Sequence, residues 1–190
     1  MSLKIYAGPM FSRKTTKLQE EYHNILNNLK NNELNKIHPD YILAINHIID
    51  KERYPENKIV SHDGAEIPCL SIEKLQDITI NLENTRYILI NEAQLFSGLK
   101  DWILNLMDYT DINFILCGLD SDYKIGKFGE LLDLIPYATS VIKLQGKCSQ
   151  CQNPSLFTHR LTNECEQVVI GTTNYIPVCR KCYVKLNAKD

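Results

Sequence analysis

A glycine-led stretch near the start of the chain, Gly8 to Thr15 (G-P-M-F-S-R-K-T), could bind phosphate groups. It follows the pattern G-x-x-x-x-G-K-[ST], in which backbone N–H groups and a helix N-terminus form a cradle for anions. Lys14 would reach the β- and γ-phosphates of a nucleotide, and the hydroxyl of Thr15 would hold Mg²⁺. Arg13 departs from the pattern, because it stands where a second glycine would let the backbone approach a phosphate closely. The alternative interpretation is a strand-turn-helix junction without a ligand.

A second polar group, Asn91 to Gln94 (N-E-A-Q), directly follows an apolar run. The carboxyl end of such a strand faces the nucleotide in phosphate-binding sheets and usually carries a metal-binding aspartate. Asn91 occupies that position here, and an amide oxygen can ligate Mg²⁺ or a metal-bound water without bringing a charge. Glu92 could accept the proton of a substrate hydroxyl. The alternative is a polar strand end that caps a helix.

Four cysteines form two C-x-x-C pairs, Cys148 with Cys151 and Cys179 with Cys182, separated by the 27 residues from 152 to 178. Thiolates with this spacing can converge on one tetrahedral Zn²⁺, and four sulfur ligands leave no open position for a substrate, which indicates a structural metal. A redox pair or four unconnected thiols are the alternatives. The other three cysteines are interpreted as one loop residue, Cys165, and two buried apolar residues, Cys69 and Cys117.

Length and charge limit the classes of function. The 190 residues suffice for one domain with a core and a small appendage. Lys and Arg number 21 and Asp and Glu 23, so the net charge of −2 provides no global positive field for nucleic acid or an anionic membrane. No run approaches the roughly 20 apolar residues of a membrane span, and the N-terminus has no room for a signal peptide. We therefore expect a cytoplasmic protein without nucleic-acid or membrane partners, whose seven cysteines do not form a disulfide framework.

Apolar periodicity predicts the elements that would position these groups. Strands are expected at 3–7, 41–45, 58–61, 86–90, 113–117 and 140–144, and helices from residue 14 onward, around 102–107 and at 129–135. This alternation predicts an α/β fold with a mostly parallel sheet flanked by helices. Turn residues and paired cysteines dominate after residue 147, so we place a boundary near Gly146, between a nucleotide-binding domain, 1–146, and a metal-binding domain, 147–190.

Taken together, the motifs resemble those of the type II thymidine kinases, a zinc-containing family, over nearly the whole chain. The family's G-P-M-F-S-G-K-T resembles Gly8 to Thr15, and its D-E-A-Q-F-F resembles Asn91 to Phe96. Further elements of the family, R-Y, T-H-D-G, G-L-D-x-D-F, F-G, R-L-T, V-I-G and Y-x-P-V-C-R-x-C-Y, are similar to Arg53-Tyr54, Ser61 to Gly64, Gly118 to Tyr123, Phe128-Gly129, Arg160 to Thr162, Val169 to Gly171 and Tyr175 to Tyr183. The resemblance implies a P-loop NTPase-like fold with a small C-terminal zinc-ribbon, or lasso, domain.

The resemblance also implies a reaction, the transfer of the γ-phosphoryl group of ATP to the 5′-hydroxyl of thymidine, with Glu92 as the proton acceptor. It implies ATP, Mg²⁺ and a structural Zn²⁺ as cofactors, thymidine as the substrate and a homotetramer as the assembly. The implied ATP-binding residues are Gly8, Pro9, Met10, Phe11, Ser12, Arg13, Lys14, Thr15, Arg53, Asn91, Glu92, Ala93 and Gln94.

The stretch between the cysteine pairs would be a loop that closes over the thymine base and binds it largely through backbone groups. The zinc would then pin both ends of a loop that has little core of its own. Simple packing is the alternative role for the side chains of the pocket. The implied substrate-binding residues are Met10, Leu119, Tyr123, Phe128, Thr158, Gln167, Val168, Val169, Ile170, Gly171 and Tyr175, and the implied zinc ligands are Cys148, Cys151, Cys179 and Cys182.

The sequence departs from the family pattern at several positions. Arg13 replaces a glycine, Asn91 replaces an aspartate, Leu95 replaces an aromatic residue, Asn46-His47 replaces Lys-Pro and Gly171-Thr172 replaces Gly-Gly. The first two touch phosphate and metal, so two hypotheses remain: an active thymidine kinase, or a degenerate homologue that binds a nucleotide, a nucleoside or a partner. A nucleic-acid-binding zinc ribbon is a third hypothesis, which the net charge and the phosphate-binding pattern disfavour.

Overall fold

The structure is a computed structural model that describes residues 1–31, 38–52, 57–169, 171 and 173–188, with the backbone alone described at 51 and 52. Two residues of the predicted site, Arg53 and Ile170, lie outside this part of the chain. The strands are β1 (Leu3–Ala7), β2 (Ile42–His47), β3 (Lys58–Val60), β4 (Glu66–Pro68), β5 (Leu70–Ile72), β6 (Tyr87–Ile90), β7 (Asn113–Gly118), β8 (Ser140–Lys143), β9 (Phe157–Arg160) and β10 (Tyr175–Val178). The α-helices are α1 (Lys14–Asn31), α2 (Leu99–Tyr109) and α3 (Arg180–Asn187).

Six strands form the central sheet in the order β5-β2-β6-β7-β1-β8, and every neighbouring pair is parallel. This arrangement confirms the predicted α/β class. The carboxyl ends of β1, β6 and β7 lie side by side at one edge of the sheet, so the residues that follow them, from Gly8, Asn91 and Leu119 onward, are brought together. Open parallel sheets bind their ligands at this edge.

Helices cover both faces of the sheet. Leu18 and Leu29 of α1 pack with Leu89 on one face, whereas Ile103 of α2 packs with Ile88 on the other. Successive side chains of a strand point to opposite faces, so a strand between two helical layers must be apolar throughout. This explains the apolar run of β6, whose residues 88 to 90 are all buried.

Several predicted elements differ from the observed ones. The short helix expected at 129–135 is a 3₁₀-helix at Leu131–Tyr137, which contains Pro136, a residue that cannot donate the hydrogen bond of an α-helix interior. Short 3₁₀-helices also occur at Pro39–Tyr41, Ile48–Glu52, Leu75–Asp77 and Ala93–Leu95. The strands β4, β5, β9 and β10 and the helix α3 were not predicted from the sequence. Helix α3 begins within the second cysteine pair and contains Cys182.

The C-terminal part is a small unit around an antiparallel pair of strands, β9 and β10. Phe157, Val178, Cys148 and Cys179 form a separate buried cluster there. The unit contacts the phosphate-binding stretch directly, because the backbone N–H of Met10 donates to the hydroxyl of Thr158 at 3.0 Å. The boundary near residue 146 stays a prediction.

Candidate active site

A cavity of about 130 Å³ lies between the phosphate-binding stretch, the ends of β6 and β7, and the segment that connects β9 to β10. Sixteen of the predicted site residues line it: Met10, Phe11, Ser12, Arg13, Lys14, Thr15, Glu92, Gln94, Leu119, Tyr123, Phe128, Thr158, Gln167, Val168, Val169 and Tyr175. Of the predicted ATP- and substrate-binding residues that the structure describes, five do not line it: Gly8, Pro9, Asn91, Ala93 and Gly171. The structure therefore brings phosphate-loop, strand-end and C-terminal residues around one space.

Sequence reasoning missed eight further lining residues: Thr16, Ile49, Asp50, Val60, His62, Leu95, Ser121 and Asp122. Four of them had a signal, since His62, Leu95, Ser121 and Asp122 fall within family-like motifs. Asp122 holds the loop above the cavity, because its Oδ2 accepts a hydrogen bond of 2.8 Å from the side-chain amide of Gln167. Asp50 had no signal in the sequence, because it lies in a polar stretch without periodicity.

The phosphate-binding stretch, residues 8 to 15, turns tightly between β1 and α1. Gly8 is required there, because a Cβ atom at this position would lie 2.4 Å from the carbonyl oxygen of Leu144. Arg13 adopts a left-handed φ of +63°, and its side chain is exposed. Lys14 is buried and donates from Nζ to the carbonyl oxygen of Pro9 at 2.8 Å, so its charge is held inside the turn.

Ser12 provides evidence that the turn suits an anion. Its hydroxyl is buried, and it has no hydrogen-bond partner within the part of the chain that the structure describes. A buried hydroxyl without a partner loses the free energy of its hydrogen bond to water. A phosphate oxygen in the cavity would accept from Ser12 and would face the ammonium group of Lys14, so the residues present fit a nucleotide phosphate.

Asn91 lies behind Thr15 and presents an oxygen to it. Its Oδ1 is 3.3 Å from the Thr15 hydroxyl and 3.0 Å from the thiol of Cys117. Burial raises the pKa of Cys117 to about 12, so the thiol stays protonated and donates. Asn91 itself is buried, and its neutral amide oxygen stands where a phosphate-binding sheet usually carries a metal-binding aspartate.

Glu92 begins the turn after β6 and has a left-handed backbone, with φ of +49° and ψ of +42°. Gln94 orients the carboxylate, because its Nε2 donates to Glu92 Oε2 at 2.7 Å while its Oε1 accepts from the backbone N–H of Leu119 at 2.9 Å. Gly118 permits this approach, since a Cβ atom there would lie 2.3 Å from Gln94 Oε1. The carboxylate of Glu92 is thereby fixed between the two strand ends.

Arg160 anchors residues 164 to 167 of the segment that follows β9. Its guanidinium group lies 3.7 Å from the centre of the Tyr123 ring and donates to the Tyr175 hydroxyl at 2.6 Å. It also donates to the backbone carbonyl oxygens of Glu164, Glu166 and Gln167, at 2.9, 2.5 and 3.1 Å. One buried arginine therefore holds the loop against the walls of the pocket.

The four predicted metal ligands converge. The sulfur atoms of Cys148, Cys151, Cys179 and Cys182 all lie within 4.8 Å of one another, and two of the separations are 3.6 Å. Sulfur atoms around a tetrahedral Zn²⁺ are about 3.8 Å apart, given Zn–S bonds of about 2.3 Å. The four thiols are free, so the donor set fits zinc. Of the other cysteines, Cys117 is buried as predicted, whereas Cys69 is only half-buried. Cys165 lies in the connecting loop as predicted, and it is exposed.

Comparison with known proteins gives a consistent result. A model of the thymidine kinase family matches residues 1–183. A thymidine kinase of Oryza sativa subsp. japonica is 34% identical over 96% of this chain and 66% of its own length, so the chain spans about two thirds of that relative. A thymidine kinase of Bacteroides thetaiotaomicron is 30% identical over 99% of this chain and 89% of its own length. A thymidine kinase of Yaba monkey tumor virus is 32% identical over 97% of this chain and 96% of its own length.

Within the described ranges, none of the helices combines the length and the apolar character that a membrane crossing needs.

The match to the family model covers both the phosphate-binding stretch and the cysteine cluster, and the viral relative is matched over nearly its whole length. On this evidence, the chain belongs to the thymidine kinase family.

Proposed function

We propose that the chain phosphorylates thymidine and takes the γ-phosphoryl group from ATP. The observation that carries this proposal is the shared cavity: Lys14, Thr15 and Glu92 line it together with residues of the C-terminal loop. A phosphate donor and a nucleoside acceptor must meet in one enclosed space for in-line transfer, and membership of the family supports these two ligands.

The phosphate half of the cavity would bind ATP through the residues from Gly8 to Thr15. Ser12 and Lys14 supply a buried hydroxyl and a buried positive charge. Thr15 and Asn91 would hold Mg²⁺, which neutralises charge on the transferring phosphoryl group when it is bound. The family resemblance adds Arg53 to the proposed ATP-binding residues.

Glu92 would act as the general base. Its carboxylate accepts the proton of the thymidine 5′-hydroxyl as the oxygen bonds to the γ-phosphorus, and the bond to the β-γ bridging oxygen breaks to release ADP. Gln94 supports this role, because it occupies Oε2 of Glu92 and leaves the other carboxylate oxygen for the substrate. Lys14 would stabilise negative charge on the transferring oxygens.

The nucleoside half has apolar walls and a polar rim. Met10, Leu119 and Phe128 are wall residues, and the loop contributes Val168 and Val169. The Tyr175 hydroxyl donates to the carbonyl oxygen of Val169 at 3.0 Å and so fixes the backbone that would read the base. The remaining residues of the proposed base site are Tyr123, Thr158, Gln167, Ile170, Gly171 and Tyr175.

The cysteine cluster would hold a structural Zn²⁺ that pins both ends of this loop. Family resemblance supports a homotetramer and a cytoplasmic location. Light scattering on the purified protein should then give the mass of four chains.

The test is the formation of dTMP from thymidine with ATP and Mg²⁺. We expect product from the wild-type chain and a loss of about 10²- to 10⁴-fold in kcat for Glu92→Gln, which keeps the shape of the side chain but removes the base. Glu83→Gln, at an exposed position, is the matched control and should retain the wild-type rate. A wild-type protein that forms no dTMP at high enzyme concentration would reject the proposal.

A further inference from the structure

A chain of hydrogen bonds between side chains runs from Asp50 to Thr15 through two asparagines. Asn46 donates from Nδ2 to a carboxylate oxygen of Asp50 at 3.2 Å, and Asn91 donates from Nδ2 to Asn46 Oδ1 at 3.0 Å. Asn91 Oδ1 then accepts from the hydroxyl of Thr15 and the thiol of Cys117. Asn46, Asp50 and Asn91 are 3%, 7% and 2% exposed, so these contacts are buried.

The direction of this chain follows from the chemistry of its first member. An ionised carboxylate only accepts hydrogen bonds, so Asn46 must turn its NH₂ group toward Asp50. Its Oδ1 is then the atom that faces Asn91, which must donate in turn. The Oδ1 of Asn91 is left facing Thr15. Turning either amide over would place two acceptors or two donors against each other in a buried site.

We propose that Asn46 and Asn91 form one positioning unit, in which Asp50 and Asn46 hold the Asn91 amide with its oxygen toward the Mg²⁺-binding hydroxyl of Thr15. This inference rests on the proposed kinase function. Asn46 and Asn91 are also two of the positions at which the sequence departs from the family pattern, and their contact shows that the two departures are coupled. The chain presents an oriented neutral oxygen where the family pattern has an aspartate.

Each single substitution should therefore weaken MgATP binding, whereas the double substitution should restore it. A carboxylate introduced by Asn91→Asp would face the Oδ1 of Asn46, so two acceptors would oppose each other. Rotating the Asn46 amide would only move the conflict, because its Oδ1 would then face the carboxylate of Asp50. A lysine introduced by Asn46→Lys only donates, so it would attract the Asn91 oxygen and turn the NH₂ group toward Thr15. In the double variant, the ammonium group lies between two carboxylates, and an acceptor again faces Thr15.

The test is a double-mutant cycle read as the KM for MgATP at saturating thymidine and as the rise in unfolding temperature on adding MgATP. Each single variant should raise the KM about tenfold and reduce the thermal shift, whereas Asn46→Lys with Asn91→Asp should recover to within about threefold of wild type. Asn81→Asp is the matched control, since its exposed amide also donates to a carboxylate, that of Asp40, at 2.9 Å but outside the cavity. The KM for MgATP and the thermal shift of Asn81→Asp should equal those of the wild type.

Additive effects, or an Asn91→Asp variant that binds MgATP as tightly as wild type, would overturn the positioning unit. The thermal shift needs no turnover, so it decides the question even if the wild type makes no dTMP, a result that would reject the kinase function alone. A wild type without any MgATP shift would overturn both. If the lysine variant does not fold, Asn46→Ala replaces it: it should lose most of the MgATP shift and keep the thymidine shift, and an unchanged MgATP shift would overturn the unit.

Discussion

Arg13 shows at the residue scale what a phosphate-binding turn requires of its sequence. The turn keeps a left-handed φ of +63° at the position where the pattern has glycine, and the arginine side chain is exposed. A left-handed conformation costs an L-residue about 1–2 kcal/mol. The fold therefore tolerates Arg13 at a cost in stability, while Ser12 and Lys14 remain buried in the turn.

Replacing Arg13 with glycine should stabilise the protein. Arg13→Gly removes the strain but gives the unfolded chain more freedom, so we expect a net gain of about 1 kcal/mol in the free energy of unfolding. Urea denaturation measures it. Arg13→Lys keeps both the charge and the strained backbone and should give no gain. An equal gain from both variants would assign the effect to the side chain instead.

The loop between β9 and β10 is the element whose position the structure explains most fully. It has little apolar core, and Arg160 substitutes for one by joining three backbone carbonyl groups to two tyrosines. Arginine suits this task, because its planar group carries five donors in a fixed arrangement.

Arg160→Lys should loosen this loop without affecting the phosphate end. An ammonium group cannot reach the same carbonyls in the same plane, so we expect the KM for thymidine to rise about tenfold while that for ATP stays constant. Steady-state kinetics with each substrate varied in turn separate the two. Arg86→Lys is the control, because Arg86 also donates to backbone carbonyls but is not among the residues that line the cavity. A parallel rise in both KM values would contradict the assignment.

Helix α1 is joined to β1 by a partly buried cluster. Burial acts to raise the pKa of Glu21, but hydrogen bonds from Lys4 and Tyr6, at 2.8 and 2.5 Å, outweigh it and lower that pKa below its ordinary value of 4.5. Because the pKa is lowered in the folded state, Glu21 contributes stability above pH 4.5, and this contribution is lost as the pH falls through the folded pKa.

Glu21→Gln should therefore weaken the acid dependence of stability. We expect the free energy of unfolding of the wild type to fall more steeply below pH 4.5 than that of the variant, as measured by urea denaturation from pH 7 to pH 3. Glu66→Gln removes an exposed ion pair with Lys58 and should leave the wild-type slope. Identical slopes for the wild type and Glu21→Gln would show that other groups dominate.

At the scale of the whole molecule, two cores of different kinds meet at the cavity. The sheet has apolar clusters on both faces, whereas the C-terminal unit has a small cluster that includes two of the four converging cysteines. We expect a unit with so little apolar burial to need a metal bound at this cluster in order to fold. The phosphate half of the site should therefore be stable on its own, and the nucleoside half should depend on zinc.

Chelation of zinc from the purified protein should reduce thymidine binding more than ATP binding. We expect hydrogen exchange to accelerate in β9, β10 and α3 but not in the central sheet, and calorimetry to show a loss of thymidine affinity of at least about tenfold. Cys182→Ser should reproduce this effect. Cys165→Ser, which changes an exposed cysteine outside the cluster, should not. An equal acceleration of hydrogen exchange in the central sheet would contradict the division into two separable units.

The sequence alone determined the fold class and most of the site, because short motifs and apolar periods encode local structure. The phosphate-binding stretch, the strand before Glu92 and the cysteine pairs were all recognisable from residue types and spacing. The 3₁₀ geometry of Leu131–Tyr137 and the edge strand β5 were not, since packing decides such short elements.

Only the tertiary structure decided which polar side chains share a hydrogen bond. Asn46, Asp50 and Asn91 come from β2, the 3₁₀-helix after it and the end of β6, and no local pattern links them. Likewise, the contact of Arg160 with Tyr123 joins residues that are 37 positions apart. Hydrogen bonds of this kind depend on the register of parallel strands and on loop paths, which a one-dimensional pattern does not contain.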